Sequence, residues 1–283
     1  MPADLTVSLG TGLIILTIAF FSEYIDSSTG MGYGTILSPL LLFMGFSPLM
    51  IVPSILLSEF ITGVTASITH HAMGNVNFRP VIHKNTSIFS QIREQGIRRF
   101  FSTSLPLPLR ISLLIGVCSV AGTVTAVFLA VKIPKQTMTS AIGMILIISG
   151  LVIIITNRLI LKFNWARIIF VGVIASFNKG LSGGGYGPIV TSGQLLAGLE
   201  SKNAVAITSL AEALTCFTGL VVYFLKSDSL NFALAPYLCV GALLSVPLSG
   251  ITVKKLDAKK FRLIIGILTL ILGMGTFLQF VKP

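Results

Sequence analysis

Glu59 and Glu212 each stand in the middle of an apolar run of about 23 residues, near 49–72 and 203–225. A charged carboxylate at the centre of a membrane helix costs roughly 2.5–3.5 kcal/mol on insertion scales, so each needs a partner or a task. A proton taken up at such a site removes the charge, which makes a proton-coupling role natural. The competing reading is a structural carboxyl that hydrogen-bonds the backbone of a neighbouring break. Each glutamate follows a glycine-rich stretch at the same interval, "STGMGYGTI" at 28–36 and "SGGGYGPIV" at 182–190.

Unwound backbone in hydrocarbon leaves N–H and C=O groups unpaired, so it persists only where protein or a water-filled cavity receives it. Glycine admits positive φ and close approach to its backbone. The helix after each break, with Thr35 or Pro188 at its start, aims N–H groups and a positive dipole end at the cavity, which suits a compact oxyanion. The candidate substrate-binding residues are therefore Ser28, Thr29, Gly30, Gly32, Tyr33 and Gly34 in the first break. In the second they are Asn178, Lys179, Ser182, Gly183, Gly184, Gly185, Tyr186 and Gly187. Close helix packing is the alternative use of such glycines.

Shifting the chain by 153 positions superposes the two stretches and much of the sequence C-terminal to each. Eleven of 35 positions between 29 and 63 match, among them four glycines, a tyrosine and a glutamate in register, so the chain is a duplicated unit. Under this shift Asp26 answers Lys179. The two either pair near a symmetry axis or leave Lys179 to meet an anion directly. Glu23 answers Ser176 and reads as a residue near a cavity mouth, while His70 and His71 end a span and read as interfacial. Cys118, Cys216 and Cys239 lack metal or redox spacing and read as packing residues. For Cys216, one turn past Glu212, a place near the substrate path is the alternative. No catalytic nucleophile–base pair, metal cluster or cofactor motif appears, which leaves an enzyme with little support.

The elements that must carry these residues are set by hydropathy. Apolar residues make up 53% of the 283 and charged residues 10%, against roughly 25% in soluble domains, so this is an all-α membrane protein. Repeat 1 covers 1–157: an apolar run at 5–22, a polar break at 23–34, a run at 35–46, and spans near 49–72, 110–131 and 136–157. Repeat 2 covers 158–283: runs near 166–177 and 188–199, then spans near 203–225, 232–252 and 262–281. The first run has no basic residue before it and reads as mature sequence rather than a cleaved leader. The runs beside each break are short for a core of about 30 Å and form either short crossings or a re-entrant hairpin. A basic insertion at 74–109 includes "IFSQIREQGIRRFF", which predicts an interfacial helix on an anionic leaflet, with a regulatory or partner-binding segment as the alternative.

An odd number of crossings per repeat makes the repeats inverted. With loops 74–110, 158–167 and 253–262 cytoplasmic, that arrangement puts 15 Lys and Arg inside and four outside. Parallel repeats would give 11 and 8, so the charge bias favours inversion. Inverted repeats with broken helices are a secondary-transporter architecture with the site at the midplane. The net charge of +11 lies in connectors, not on one polar face, which argues against nucleic acid as a partner.

The paired stretches "DSSTGMGYG" and "NKGLSGGGYGP", each followed by an intramembrane glutamate, resemble the TauE/SafE family of sulfite and organosulfonate transporters. The resemblance spans nearly the whole chain except 74–109, and Met31 departs from it where the second copy has Gly184. It implies secondary transport of sulfite, sulfonates such as sulfoacetate, or thiosulfate across a prokaryotic inner membrane. A passive anion channel or a carrier of another small ion remains the alternative. The implied partners are a small anionic substrate, protons and the lipid bilayer; a homo-oligomer stays open.

Overall fold

The computed structural model of the protein describes residues 7–82, 87–156, 164–197, 199–227, 230–253, 255 and 258–281. Among these the chain is helical throughout and has no strand. Its helices are α1 (Leu9–Thr29), α2 (Tyr33–Phe43), α3 (Pro48–Ala72), α4 (Ile88–Gln95), α5 (Ile97–Thr103), α6 (Leu107–Ala130), α7 (Lys135–Thr156), α8 (Trp165–Ser182), α9 (Tyr186–Leu196), α10 (Ser201–Lys226), α11 (Ala235–Thr252) and α12 (Ala258–Val281). Six of them, α1, α3, α6, α7, α10 and α11, are long and apolar enough to cross a membrane. The boundary at 157/158, most of the 158–167 loop and part of the 253–262 loop lie outside the described residues.

Local chemistry sets the ends. Ser8 caps α1 by accepting from the Thr11 N–H at 3.2 Å, and Pro48 opens α3 in the first turn, where a missing N–H costs nothing. The polar stretch at 23–29 is helical, contrary to the break predicted over 23–34. It forms the last two turns of α1, which ends at Gly30 (φ 76°) with the glycine N–H on the Asp26 carbonyl. The second copy behaves alike: α8 runs on to Ser182 and ends at Gly183 (φ 71°), whose N–H reaches the Lys179 carbonyl. The true breaks are thus three residues each, Gly30–Gly32 and Gly183–Gly185. A polar side chain lowers local hydropathy without disturbing helical hydrogen bonds, so the sequence pattern overestimates their length.

The long helices pack in pairs: α1 on α11, α8 on α6, α3 on α10, α7 on α12. Gly63 faces the Ser209 carbonyl and Ala213, and Gly219 faces Leu56, so α3 and α10 run antiparallel. Gly143 lies against Phe277 and Gly150 against Leu270, which makes α7 and α12 antiparallel as well. Small residues at these crossings let the backbones approach, the usual route to helix association where lipid removes the hydrophobic drive. A core of Ile15, Tyr33, Leu37, Ile51, Ile55, Leu146 and Tyr223 fills the space around α2.

The insertion forms two short helices in place of the single one predicted. Gly96 (φ 77°) breaks it between α4 and α5. Phe89 and Ile97 are 85% and 76% exposed beside exposed Arg93, Arg98 and Arg99, while Gln91 and Phe100 turn inward.

Candidate functional site

The two breaks touch one another. Thr191 Oγ1 on α9 donates to the Gly30 carbonyl at 2.7 Å, and Ser38 Oγ on α2 donates to the Ser182 carbonyl at 2.6 Å. These hydroxyls satisfy carbonyls that the ends of α1 and α8 would otherwise leave orphaned. A Cβ on Gly34 would overlap the Gly183 carbonyl, and one on Gly187 would overlap the Gly30 carbonyl. Glycine is therefore required here for backbone to lie on backbone.

Several N–H groups at the breaks are engaged within the protein: those of Gly30 and Gly183 reach the carbonyls of Asp26 and Lys179. Tyr33 N, the first of α2, donates to Asp26 Oδ1 at 3.2 Å, and Gly184 N donates to Ser182 Oγ at 3.0 Å. Thr29 Oγ1 bonds the carbonyls of Ile25 and Met31, and Gly32 packs on Ile25. Ser28 Oγ is buried without a partner. Gly185 lies against Ser149 and the half-buried Asn178. The rings of Tyr33 and Tyr186 are fully buried. Tyr33 OH shares a hydrogen bond with Ser58 Oγ at 2.7 Å, and Tyr186 OH accepts from Thr215 Oγ1 at 3.3 Å. Met31 packs with Ile153 and Ile265.

Charge converges beside this contact. Lys179 Nζ forms ion pairs with Glu59 Oε2 on α3 and with Glu212 Oε1 on α10, the latter at 2.7 Å. All three are buried, at 1%, 3% and 4% exposure. The sequence alternative in which Asp26 and Lys179 pair is not what forms: among the described residues no ion pair joins them, and Asp26 sits at the N-terminus of α2 instead. Lys179 takes the two glutamates because α3 and α10 cross beside it. Cys216 is buried with Sγ 3.9 Å from Glu59 Oε2, at the edge of this cluster.

Glu23, Asp26, Glu59, Glu212, Thr62, Gly63 and Ser209 line a small cavity of about 10 Å³, room for about one water molecule. Glu23 is thus buried in the cluster and bonded by Ser27 Oγ at 2.5 Å. Its lack of an acidic counterpart made it look peripheral. The signal that could have found it is helical spacing, since Glu23, Asp26 and Ser27 share a face. Thr62 matched Thr215 under the repeat shift without being read as chemistry. His70 also departs from its interfacial reading. It is fully buried, with Nε2 on the Ser27 carbonyl at 3.0 Å and Nδ1 paired to Asn75 Nδ2 at 2.9 Å, so it ties the end of α1 to the end of α3. His71 is partly buried, with Nδ1 on the Val76 carbonyl at 3.2 Å.

Long apolar helices around one buried lysine and its carboxylates define a multi-pass membrane protein. The chain belongs to the family described as "Sulfite exporter TauE/SafE", whose model matches residues 15–90 and 85–276. It is also similar to a "Probable membrane transporter protein YtnM" of Bacillus subtilis (strain 168), with 23% identity over 280 residues covering 94% of this chain and 83% of that relative.

Proposed function

We propose that this membrane transporter moves small sulfur-containing anions, such as sulfite, sulfoacetate or thiosulfate, across a prokaryotic inner membrane by proton-coupled secondary transport. The observation that carries the reading is Lys179 held between Glu59 and Glu212 where the two breaks meet. An ammonium has three N–H donors, and the two glutamates take two. A proton arriving on either glutamate frees a donor of Lys179 for an anion, so proton and anion share one lysine and each favours the other's binding. The direct contact of the breaks, with Thr191 and Ser38 bonded to carbonyls across it, is what a shut conformation requires; separation of the breaks would expose Lys179 and the glycine backbone to substrate.

Antiparallel packing of α3 on α10 and of α7 on α12 supports inverted repeats, because α10 answers α3 at the shift of 153 and α12 answers α7 at a shift of 123, where Gly143 meets Gly266 and Gly150 meets Gly273. The charge bias supports cytoplasmic placement of the 74–110 loop. The acidic lining of the cavity favours one competing reading, a cation carrier. Purified protein in vesicles separates them: labelled sulfite or sulfonate accumulates under an imposed pH gradient and shows counterflow if the proposal holds. A channel shows no counterflow, and a cation carrier moves labelled cation without any sulfur anion.

A further inference from the structure

Glu23 is the buried carboxyl that the duplication leaves unexplained, since the second copy has Ser176 at its position. Its Oε1 accepts from Ser27 at 2.5 Å, while Oε2 is buried without a partner. Glu59 repeats the pattern, with Oε2 on Lys179 and Oε1 buried without a partner. Both residues line the same cavity of about 10 Å³ together with Thr62 and Ser209. A buried water is favoured where a polar cavity of that size offers two to four hydrogen-bonding groups.

The cavity also has a direction. Thr62 and Gly63 come after Glu59 on α3, towards the loop at 74–110, and Ser209 precedes Glu212 on antiparallel α10. Both put the cavity on the side of the ion pairs nearer that loop. The charged and titratable groups around Glu23 are Asp26 on its own helix, Tyr33 on α2, Glu59 on α3, Lys179 on α8 and Glu212 on α10, with His70 on α3 one residue removed, its Nε2 on the Ser27 carbonyl and its Nδ1 accepting from Asn75. Cys216 on α10 lies behind Glu59, and Cys239 on α11 lies beyond Ser58. Among these Lys179 is the one cation, set against four carboxyls.

We infer that the cavity holds one water bridging Glu23 to Glu59, and that Glu23 is the carboxyl through which coupling protons enter from the side of the 74–110 loop. This rests on the proton-coupled reading above. The step is a proton transfer alone: protonated Glu23 gives its proton to the water, the water gives one to Glu59, and neutral Glu59 releases Lys179. The cavity water is regenerated and no other reactant is consumed.

The test has two arms. In purified protein without substrate, the infrared difference spectrum between acid and alkaline buffer carries a carboxylic C=O band that Glu23→Gln removes and Glu23→Asp keeps. In vesicles, Glu23→Gln lowers the ratio of pH-gradient-driven accumulation to counterflow by about ten-fold, within the usual range of coupling between sites. Glu200→Gln, on the exposed Glu200–Lys202 pair, serves as control. An unchanged band or an unchanged ratio overturns the inference, as does accumulation driven by a sodium gradient in place of protons. If wild-type protein moves no sulfur anion, the proposed function fails, and the infrared arm still decides whether Glu23 titrates. Should Glu23→Gln not fold, Ser27→Ala shifts the same band by freeing Oε1, and an unshifted band overturns the inference.

Discussion

Lys179 on α8 and Glu212 on α10 lie 2.7 Å apart, Nζ to Oε1, both withdrawn from solvent. The position equivalent to Lys179 in the first copy is Asp26, which caps α2 at the Tyr33 N–H. Positions that correspond under the shift of 153 thus hold opposite charges with different tasks. One anchors a helix start, and the other joins two glutamates that are themselves equivalents.

Lys179→Gln leaves Glu59 and Glu212 buried without a counter-charge. Removing one partner of a buried pair costs about 3–5 kcal/mol, so the melting temperature in detergent at neutral pH falls sharply and anion uptake is lost. Adding Glu59→Gln and Glu212→Gln to that variant recovers most of the melting temperature and none of the uptake.

Glu59→Gln or Glu212→Gln alone leaves Lys179 one carboxylate. Each single variant keeps part of its response to an imposed pH gradient, and the double variant loses it. A coupling of about 1–3 kcal/mol is at stake, measurable as accumulation of labelled anion in vesicles. Full accumulation by the double variant would remove these residues from proton coupling.

Gly34→Ala and Gly10→Ala separate contact from propensity. A Cβ on Gly34 would overlap the Gly183 carbonyl, whereas one on Gly10 meets nothing within 4 Å. Gly34→Ala therefore lowers the yield of folded protein and abolishes transport. Gly10→Ala leaves transport intact and gains up to about 1 kcal/mol of helix stability, read as a small rise in melting temperature.

Inversion of the repeats is testable with single cysteines at exposed positions in a background without Cys118, Cys216 and Cys239. A membrane-impermeant thiol reagent applied to intact cells labels Gln136→Cys and spares Glu94→Cys and Lys255→Cys. Labelling of Lys255→Cys from outside would make the repeats parallel.

Much of the frame was legible in the chain. The spans near 49–72 and 203–225 appear as Pro48–Ala72 and Ser201–Lys226, since a long apolar run has few other ways to satisfy its backbone in lipid. The family resemblance drawn from the two glycine stretches holds, with the family match covering most of the chain. Less legible were residues 23–29 and the α4–α5 segment. In the first, buried polar side chains imitate a loop in hydropathy while the backbone stays helical. In the second, a single glycine at φ 77° divides a run whose amphipathic pattern is otherwise continuous.

By itself the sequence determined a membrane-embedded chain with two similar glycine-rich stretches, each followed at the same interval by a glutamate in an apolar run, because hydropathy, residue type and spacing are local properties. Tertiary structure decided that the breaks rest on each other, that Asp26 serves α2, that Lys179 joins Glu59 to Glu212, and that Glu23 belongs with them. Those relationships depend on which helices cross beside the breaks and at what depth. Crossing is set by side-chain packing between segments far apart in the chain, and no local pattern encodes it.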